Sequence, residues 1–169
     1  IFGSTDNFIN LGTRNRQNTG DGNDILTSIE NINAGRGDDI VRGNSAANRL
    51  NGGAGADTLL GNAGDDFLIG GLGIDDMRGG TGNDRLVGGD GIDRLTGGVG
   101  NDTLIGGGGN DIFQINSGTG RDVITDYTSG EDRIKLLGGL EANDLTFNYV
   151  GGHTRIKDDE GDLLAIVQN

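Results

Sequence analysis

The 169-residue chain has no cysteine, no proline and no tryptophan, and its aromatic residues are five phenylalanines and two tyrosines. The absence of cysteine excludes disulfide bonds and thiolate metal sites. Without proline or a glycine at every third residue, a collagen-like chain is excluded too. No stretch approaches the roughly 20 apolar residues of a membrane span, and no basic start followed by an apolar run marks a cleavable secretion signal. The chain begins with Ile1 rather than Met, so we interpret it as part of a longer or processed polypeptide.

Basic residues are half as numerous as acidic ones, 13 against 26, which gives a net charge of -13. This charge disfavours nucleic acid and anionic membranes as partners and favours cations. His153 is the single histidine, and a hydrolytic triad would have to combine it with one of five serines. We therefore expect no catalytic residues in the chain and no enzyme activity.

Glycine is abundant, at 36 of 169 residues, and it follows a repeat. Residues 34–114 divide without a gap into nine blocks of nine, for example GGTGNDRLV at 79–87. The sixth positions are Asp39, Asn48, Asp57, Asp66, Asp75, Asp84, Asp93, Asp102 and Asp111. The eighth positions, all apolar, are Val41, Leu50, Leu59, Leu68, Met77, Leu86, Leu95, Leu104 and Phe113. A glycine-rich linker has no reason to keep an apolar residue at every ninth position, so we predict a regular repeat fold.

Each block combines a glycine-rich hexad with three strand-like residues, of which the eighth position alone points inward. Two blocks make one flattened coil of 18 residues, and stacked coils are separated by the ~4.8 Å spacing of paired strands. The spacing therefore predicts an all-β solenoid with two ladders of sixth-position carboxylates, one on each edge. One ladder runs from Asp39 to Asp111, and the other from Asn48 to Asp102.

Bare ladders of this kind repel themselves, because unit charges ~4.8 Å apart cost roughly 3.5 kcal/mol per pair at an effective dielectric near 20. Lysine or arginine cannot neutralise them, since the hexads contain only Arg36. Carboxylate and carbonyl oxygens, without histidine or cysteine, select Ca²⁺ over zinc or copper. We therefore predict calcium ions between the rungs.

The blocks resemble the RTX (repeats-in-toxin, haemolysin-type) nonapeptide G-G-x-G-x-D-x-U-x, a known calcium-binding β-helix repeat. The resemblance implies a right-handed parallel β-roll in which each ion lies between hexads of neighbouring coils. It also implies the ligands: carbonyls at positions two and four plus Asp from the first hexad, and carbonyls at positions one and three plus Asp from the second.

Carried over residue by residue, the resemblance implies six sites. Four on one edge join Gly35, Gly37 and Asp39 to Gly52, Ala54 and Asp57; Gly53, Gly55 and Asp57 to Gly70, Leu72 and Asp75; Gly71, Gly73 and Asp75 to Gly88, Asp90 and Asp93; and Gly89, Gly91 and Asp93 to Gly106, Gly108 and Asp111. Two on the other edge join Asn62, Gly64 and Asp66 to Gly79, Thr81 and Asp84, and Gly80, Gly82 and Asp84 to Gly97, Val99 and Asp102. Block 43–51 departs from the pattern, because Asn44, Ala46 and Asn48 stand where Gly, Gly and Asp are expected.

The flanks add further expected ligands. Upstream, a 15-residue coil would return Asp24 above Asp39, so that Gly20, Gly22 and Asp24 share an ion with the hexad of Asp39. Downstream, Asp122 matches a calcium ligand of the segment that closes many RTX rolls, and Gly98 and Gly100 complete the ligand set beside it. The whole chain is thus expected to bind about six to eight ions.

We predict irregular first coils at 1–33, the nine repeats at 34–114 and a capping region with a secretion signal at 115–169. Strands are expected at 144–150, 153–157 and 162–167, covering the open end of the roll. Asp21, Asp38, Asp65 and Asp90 are interpreted as solvated turn residues.

The outer faces of the sheets carry arginines at block positions seven and nine. We interpret them as members of surface ion pairs, such as Arg94 with Asp76 one coil away. The alternative is that these arginines bind a polyanionic glycan. An apolar stripe of Phe67, Ile69, Val87 and Ile105 is predicted to be covered by the N-terminal loop, the C-terminal strands or a partner chain.

The resemblance implies a non-catalytic, calcium-dependent folding and secretion module of a larger extracellular bacterial protein. Its expected partners are calcium ions, the rest of the parent polypeptide and the type I secretion machinery, and its expected location is outside the cell. The alternative is an adhesin segment or a glycan-binding module attached to a secreted enzyme. Ice binding is rejected, because positions three and five form no flat array of Thr and Asn.

Overall fold

A computed structural model describes residues 6–12, 17–18, 23–24, 29–116, 120–158, 161 and 163–168, with the backbone alone at 17–18 and 23–24. In this part of the chain the regular elements are strands, apart from one 3-10 turn at Ala142–Asp144. The strands are β1 (Phe8–Asn10), β2 (Gln17–Asn18), β3 (Asn23–Asp24), β4 (Asn31–Arg36), β5 (Ile40–Arg42), β6 (Arg49–Ala54), β7 (Thr58–Ala63), β8 (Phe67–Gly73), β9 (Asp76–Thr81), β10 (Arg85–Gly91), β11 (Arg94–Val99), β12 (Thr103–Gly108), β13 (Ile112–Ile115), β14 (Asp122–Ile124), β15 (Arg133–Leu136), β16 (Thr146–Val150), β17 (His153–Lys157) and β18 (Leu163–Gln168).

The repeat strands alternate between two nine-stranded sheets. Sheet A has the order β15-β13-β11-β9-β7-β5-β1-β2-β3, and sheet B the order β16-β17-β18-β14-β12-β10-β8-β6-β4. Neighbouring repeat strands are parallel and offset by 18 residues, so Leu86 lies beside both Leu68 and Leu104. The predicted all-β parallel solenoid with two blocks per coil is confirmed.

The core is a column of eighth-position side chains between the two sheets. Each of them is fully buried: Val41, Leu50, Leu59, Leu68, Met77, Leu86, Leu95, Leu104 and Phe113. Each buried Leu or Met side chain contributes about 1.5–3 kcal/mol relative to exposure. Apart from Ala34, these nine side chains are the buried apolar core of the repeat region, so the hexads are held by other means.

The strands are longer than the three residues predicted per block. β8 continues through the first four positions of the next hexad, where Gly71 pairs with Gly53 and Gly89 on the neighbouring coils. This continuation requires glycine, because Gly71 has a φ of 120° and a Cβ there would overlap the carbonyl oxygen of Gly53. A hexad is therefore a glycine-dependent extension of the strand followed by a short turn.

The first coil differs from the prediction. β1 pairs in parallel with β5, and the backbone N–H of Asn7 donates to Oδ1 of Asp39 at 2.6 Å. The predicted 15-residue coil, which would place Asp24 above Asp39, is therefore wrong. Asn7 occupies that place. Asp24 lies on β3, which pairs antiparallel with β2 at the end of sheet A. Ile9 is buried in the core beside Val41. It follows Asn7 by two residues, which is the spacing between positions six and eight of a repeat block. Gly20 and Gly22 lie outside the described residues.

The C-terminal segment extends both sheets beyond the repeat. β14 pairs with β12, and β15 pairs with β13. β18 then pairs with β14, and β17 and β16 follow as antiparallel strands around a Gly151-Gly152 turn. The three predicted C-terminal strands are confirmed with small shifts of their ends. Ile156, Leu164 and Val167 are buried in the same core cluster as Phe113 and therefore cover its last coil.

Candidate metal centre

The sixth-position residues lie on two edges where the sheets meet. Edge 1 comprises hexads 34–39, 52–57, 70–75, 88–93 and 106–111, and edge 2 comprises hexads 43–48, 61–66, 79–84 and 97–102. On both edges the backbone N–H of one rung donates to Oδ1 of the aspartate on the next coil, as Asp57 does to Asp75 at 2.8 Å and Asp84 to Asp102 at 2.7 Å. The ladder aspartates of the repeat are at most 2% exposed. The two predicted ladders are thus present, and they are buried rather than solvated.

The second carboxylate oxygen of each ladder aspartate has no hydrogen-bond partner within the described residues. These buried Oδ2 atoms belong to Asp39, Asp57, Asp66, Asp75, Asp84, Asp93, Asp102 and Asp111. A buried polar atom without a partner costs about 1–3 kcal/mol, and more when it is charged. Each rung therefore presents an oxygen that favours a bound cation.

Burial raises the pKa of every ladder carboxyl above the ordinary value of 3.8, because removal from water disfavours the charged form. The pKa values rise to about 7 for Asp57 and Asp84 and to about 6 for Asp66, Asp75 and Asp93. The backbone N–H bond to each Oδ1 lowers these pKa values but does not outweigh burial. A divalent cation beside Oδ2 would restore the ionised form.

Backbone carbonyls complete the surroundings of each gap between coils. The position-two carbonyl of Gly53 points to the following coil, where a Cβ on Gly71 would overlap it. The position-three carbonyl of Leu72 points back and accepts the N–H of Gly55 at 2.9 Å. A carbonyl of the next coil also lies close to a ladder carboxylate, since a Cβ on Gly70 would overlap both Oδ2 of Asp75 and the carbonyl oxygen of Gly88. No three acidic or histidine side chains cluster anywhere in the described ranges, so a cation here would depend on these backbone oxygens.

The six predicted pairs of hexads are neighbours on their edges. Gly53 pairs with Gly71 and Gly71 with Gly89 on edge 1, in the register that the predicted sites require. On edge 2, Asn62 replaces a position-two glycine and adopts its positive φ of 77°, which asparagine tolerates better than most residues. The structure therefore brings the predicted ligands together, and calcium ligation stays a prediction.

The departing block 43–51 ends the ladder of edge 2. The Oδ1 of Asn48 accepts the N–H of Asn44 in its own hexad at 2.8 Å, while the N–H of Asn48 donates to Asp66 at 2.7 Å. The amide of Asn48 carries no charge, and its oxygen already accepts a hydrogen bond within its own turn. The rung above Asp66 therefore lacks the carboxylate that the other rungs supply.

The lower ends of the ladders are formed by Asp122 and Asp132. Asp122 is buried and accepts the N–H of Asp102 at 3.2 Å, which is the predicted place, and burial raises its pKa to about 7. Asp132 was not predicted: its Oδ1 accepts the N–H of Asp111 at 2.9 Å and its Oδ2 that of Thr128 at 2.7 Å. The signal for Asp132 was an apolar residue two positions later, Ile134, in the spacing of positions six and eight.

A second ladder, of Asp and Asn side chains at position five, was not predicted. The N–H of Asn83 donates to Oδ1 of Asp65 at 2.7 Å, and the N–H of Asn101 to Oδ1 of Asn83 at 2.9 Å. Asp38 on edge 1 likewise accepts the N–H of Ala56 at 2.7 Å. Asp38 and Asp65 are exposed, as predicted, but they also link coils. The recurrence of Asp or Asn at intervals of 18 residues was the available signal.

The outer faces carry the expected arginine contacts. Asp76 lies 3.5 Å from Arg94 on the neighbouring coil, which confirms the predicted pair, and 3.3 Å from Arg78 on its own strand. On sheet B the guanidinium groups of Arg49 and Arg85 lie 4.4 Å and 5.8 Å from the ring centre of Phe67. The described C-terminal strands extend sheet B edge to edge rather than lying across this face. Part of the apolar stripe is thus covered by arginine side chains.

A family model for the RTX calcium-binding nonapeptide repeat, in four copies, matches residues 27–59, 42–77 and 78–113. Together these matches span residues 27–113, just over half of the 169-residue chain. Among curated proteins, none matches the chain significantly. Within the described residues, the structure contains no helix that is long and apolar enough to cross a membrane.

Proposed function

The chain belongs to the family of RTX calcium-binding nonapeptide repeats, and on this basis we propose that it is a non-catalytic module that folds around calcium ions held along both edges of its β-roll. Calcium binding in general follows from the family. The particular ligands, the number of ions and the link to folding and export are what we propose.

The observation that carries this function is the buried Oδ2 atom on each ladder aspartate, left without a donor in the described residues. Calcium accepts about six to eight oxygen ligands in flexible geometry, whereas magnesium demands a tight octahedron. The gap between Asp57 and Asp75 offers carboxylate and carbonyl oxygens from both coils. Zinc and copper favour nitrogen or sulfur ligands, which the hexads lack.

We assign four ions to the gaps of edge 1 and two to the gaps of edge 2. Asp122, together with Gly98, Gly100 and Asp102, adds a further ion at the lower end of edge 2. Asp132 has both carboxylate oxygens bonded to backbone N–H groups and is assigned no ion. A site between Asp24 and Asp39 is not part of this assignment, because Asn7 occupies the required place.

Calcium would link folding to export. At free calcium ten times above the dissociation constant, each ion adds about 1.4 kcal/mol, so the seven assigned ions add about 10 kcal/mol. That is comparable to the stability of a whole domain, about 5–15 kcal/mol. In a calcium-poor cytosol the chain stays unfolded and can pass through a type I channel, and outside the cell it folds. RTX repeat proteins are typically secreted, which supports this order of events.

A spectroscopic titration tests this function. The chelated chain should give the far-UV circular dichroism spectrum of a disordered protein, and millimolar calcium should convert it to a β-rich spectrum, with magnesium a poor substitute. Removing the calcium again should reverse the change. A β-rich spectrum that persists in excess chelator would contradict the proposal.

A glycan-binding or adhesive role is the second candidate, and the exposed guanidinium groups of Arg49 and Arg85 on sheet B favour it. Their charge suits the carboxylates of an acidic polysaccharide. Titration with such a polysaccharide in saturating calcium should show binding that Arg49→Ala and Arg85→Ala weaken. Absence of binding to the parent chain would exclude this role.

A further inference from the structure

At position five, edge 1 exposes isoleucines where edge 2 exposes Asp65, Asn83 and Asn101, whereas at position three each edge exposes one large apolar residue, Leu72 or Val99. Leu72 is 56% exposed, Ile74 is 62% exposed and Ile92 is 49% exposed, although all three lie in hexads that consist otherwise of glycine and aspartate. Ile74 and Ile92 occupy position five of consecutive coils and, with Ala56, line a groove of about 310 Å³. Large apolar side chains at turn tips are a departure that the folding of the roll does not require.

The position-five ladder shows what edge 1 lacks. On edge 2, Asp65 and Asn83 accept backbone N–H groups of the next coil. On edge 1, Asp38 does the same for Ala56, but Ala56, Ile74 and Ile92 have no side-chain acceptor to offer the coil below. Three consecutive positions therefore lose the local hydrogen bond that Asp or Asn would supply. Apolar residues at these tips point to contact with another surface.

The position-three column of edge 1 is self-complementary in charge and in size. It runs Arg36, Ala54, Leu72 and Asp90 on four consecutive coils, with each pair in register. Arg36 and Asp90 are exposed, and neither forms an ion pair within the part of the chain that the structure describes. If the column is reversed against itself, Arg36 meets Asp90 at both ends and the small Ala54 meets the large Leu72 in the middle.

We propose that edge 1 is a self-association surface, on which a second copy of this chain packs with its roll axis antiparallel about a two-fold axis. In this arrangement the position-five column also sets Ala56 opposite Ile74 of the second copy and Asp38 opposite its Ile92, so the apolar contact centres on Ile74. The two-fold axis makes the contact closed, so it yields dimers and not fibres. The patch is small, so the dimer belongs to the weak, concentration-dependent class.

This inference rests on the proposed calcium sites. Without cations, the two facing edges would each bring the buried ladder from Asp39 to Asp111 towards the other, in a chain of net charge -13. The seven assigned divalent ions bring about 14 positive charges against the net charge of -13, which removes most of the repulsion between copies. Dimerisation should therefore require the same calcium that folds the chain.

Sedimentation velocity of the full chain at increasing protein concentration tests the proposal. In calcium the parent chain should shift from monomer to dimer, and in chelator it should remain monomeric. The double variant Ile74→Ser and Ile92→Ser should keep the calcium-induced β spectrum and weaken dimerisation at least tenfold. The control Val150→Ser removes a residue of similar exposure, 49%, on the distant strand β16 and should dimerise like the parent.

A charge reversal identifies the register of the contact. Arg36→Asp should weaken the dimer by placing two carboxylates together at each end, and adding Asp90→Arg should restore it. A parent chain that folds with calcium but stays monomeric at all concentrations would overturn self-association while leaving the calcium function intact. Failure of calcium to fold the chain would overturn both. A dimer that the isoleucine variants leave unchanged, or that the double reversal does not rescue, would overturn the assignment to edge 1.

Discussion

Replacing one ladder aspartate isolates the contribution of calcium. Asp75 lies in the middle of edge 1, and its Oδ1 accepts the N–H of Asp57 at 2.8 Å. In Asp75→Asn the amide oxygen keeps this hydrogen bond, so the substitution removes the charge and the cation-facing Oδ2 only. Asp75 is a proposed ligand of two ions, one towards Asp57 and one towards Asp93. At about 1.4 kcal/mol per ion under tenfold saturation, the loss in free energy of unfolding should be about 3 kcal/mol.

Asp65→Asn is the matched control, because it removes one negative charge from an exposed turn. Oδ1 of Asp65 accepts the N–H of Asn83 at 2.7 Å, and Asn83 does the same for Asn101, so asparagine suits this ladder. Native mass spectrometry should count two fewer calcium ions for Asp75→Asn and an unchanged number for Asp65→Asn. Denaturant unfolding in calcium should give the matching difference in stability. Equal ion counts, or equal stabilities, for the two variants would show that Asp75 does not ligate calcium.

Three further predictions follow from burial, backbone geometry and capping. Because burial raises the pKa of Asp57 to about 7, the calcium-free folded state binds more protons than the unfolded state between about pH 4 and 7, so its stability falls as the pH rises through this window. Above about pH 5 the unfolded chain and the calcium-bound roll both keep these carboxylates ionised, so the calcium concentration at half-folding should stay nearly constant from about pH 8 to about pH 5. It should rise only as the pH falls towards the ordinary pKa of 3.8, and a midpoint that already rises between about pH 8 and about pH 6 would contradict this linkage. Gly71→Ala should lower the melting temperature far more than Gly108→Ala, since a Cβ at 71 would overlap the Gly53 carbonyl and one at 108 meets its nearest atom at 3.5 Å; equal melting would disprove the steric argument. Deleting residues 128–169 should expose the last core layer and cause aggregation in calcium, and a soluble, folded monomer would show that the cap is dispensable.

The repeat region could be predicted from sequence because one spacing rule determines it. An apolar residue at every ninth position, such as Leu68 and Leu86, fixes which side chains enter the core and which blocks lie beside each other. The burial of the ladder aspartates follows from the same register. The length of the strands did not follow, since it depends on glycines such as Gly71 that pair as strand residues at positive φ.

The flanks could not be predicted in the same way, because pairing there is decided by competition between segments and not by a repeat. Asp24 and Asn7 each stand two residues before an apolar side chain, and the structure pairs β1 with β5. Asp132 joins edge 1 at an interval of 21 residues, which the 18-residue rule does not find. Position five of the repeat accepts apolar and polar residues alike. The exposure of Ile74 and Ile92 therefore could not be predicted from the repeat and is seen only in the structure.

The central claim is that calcium ions lie between neighbouring coils, held by the otherwise unpaired carboxylate oxygens. An anomalous difference map from crystals grown in calcium tests it most directly. We expect peaks along both edges, including one between the carboxylates of Asp57 and Asp75 and one between those of Asp84 and Asp102. A folded roll whose edges show no anomalous peaks, with the Oδ2 atoms of these aspartates bonded to protein or water, would contradict it.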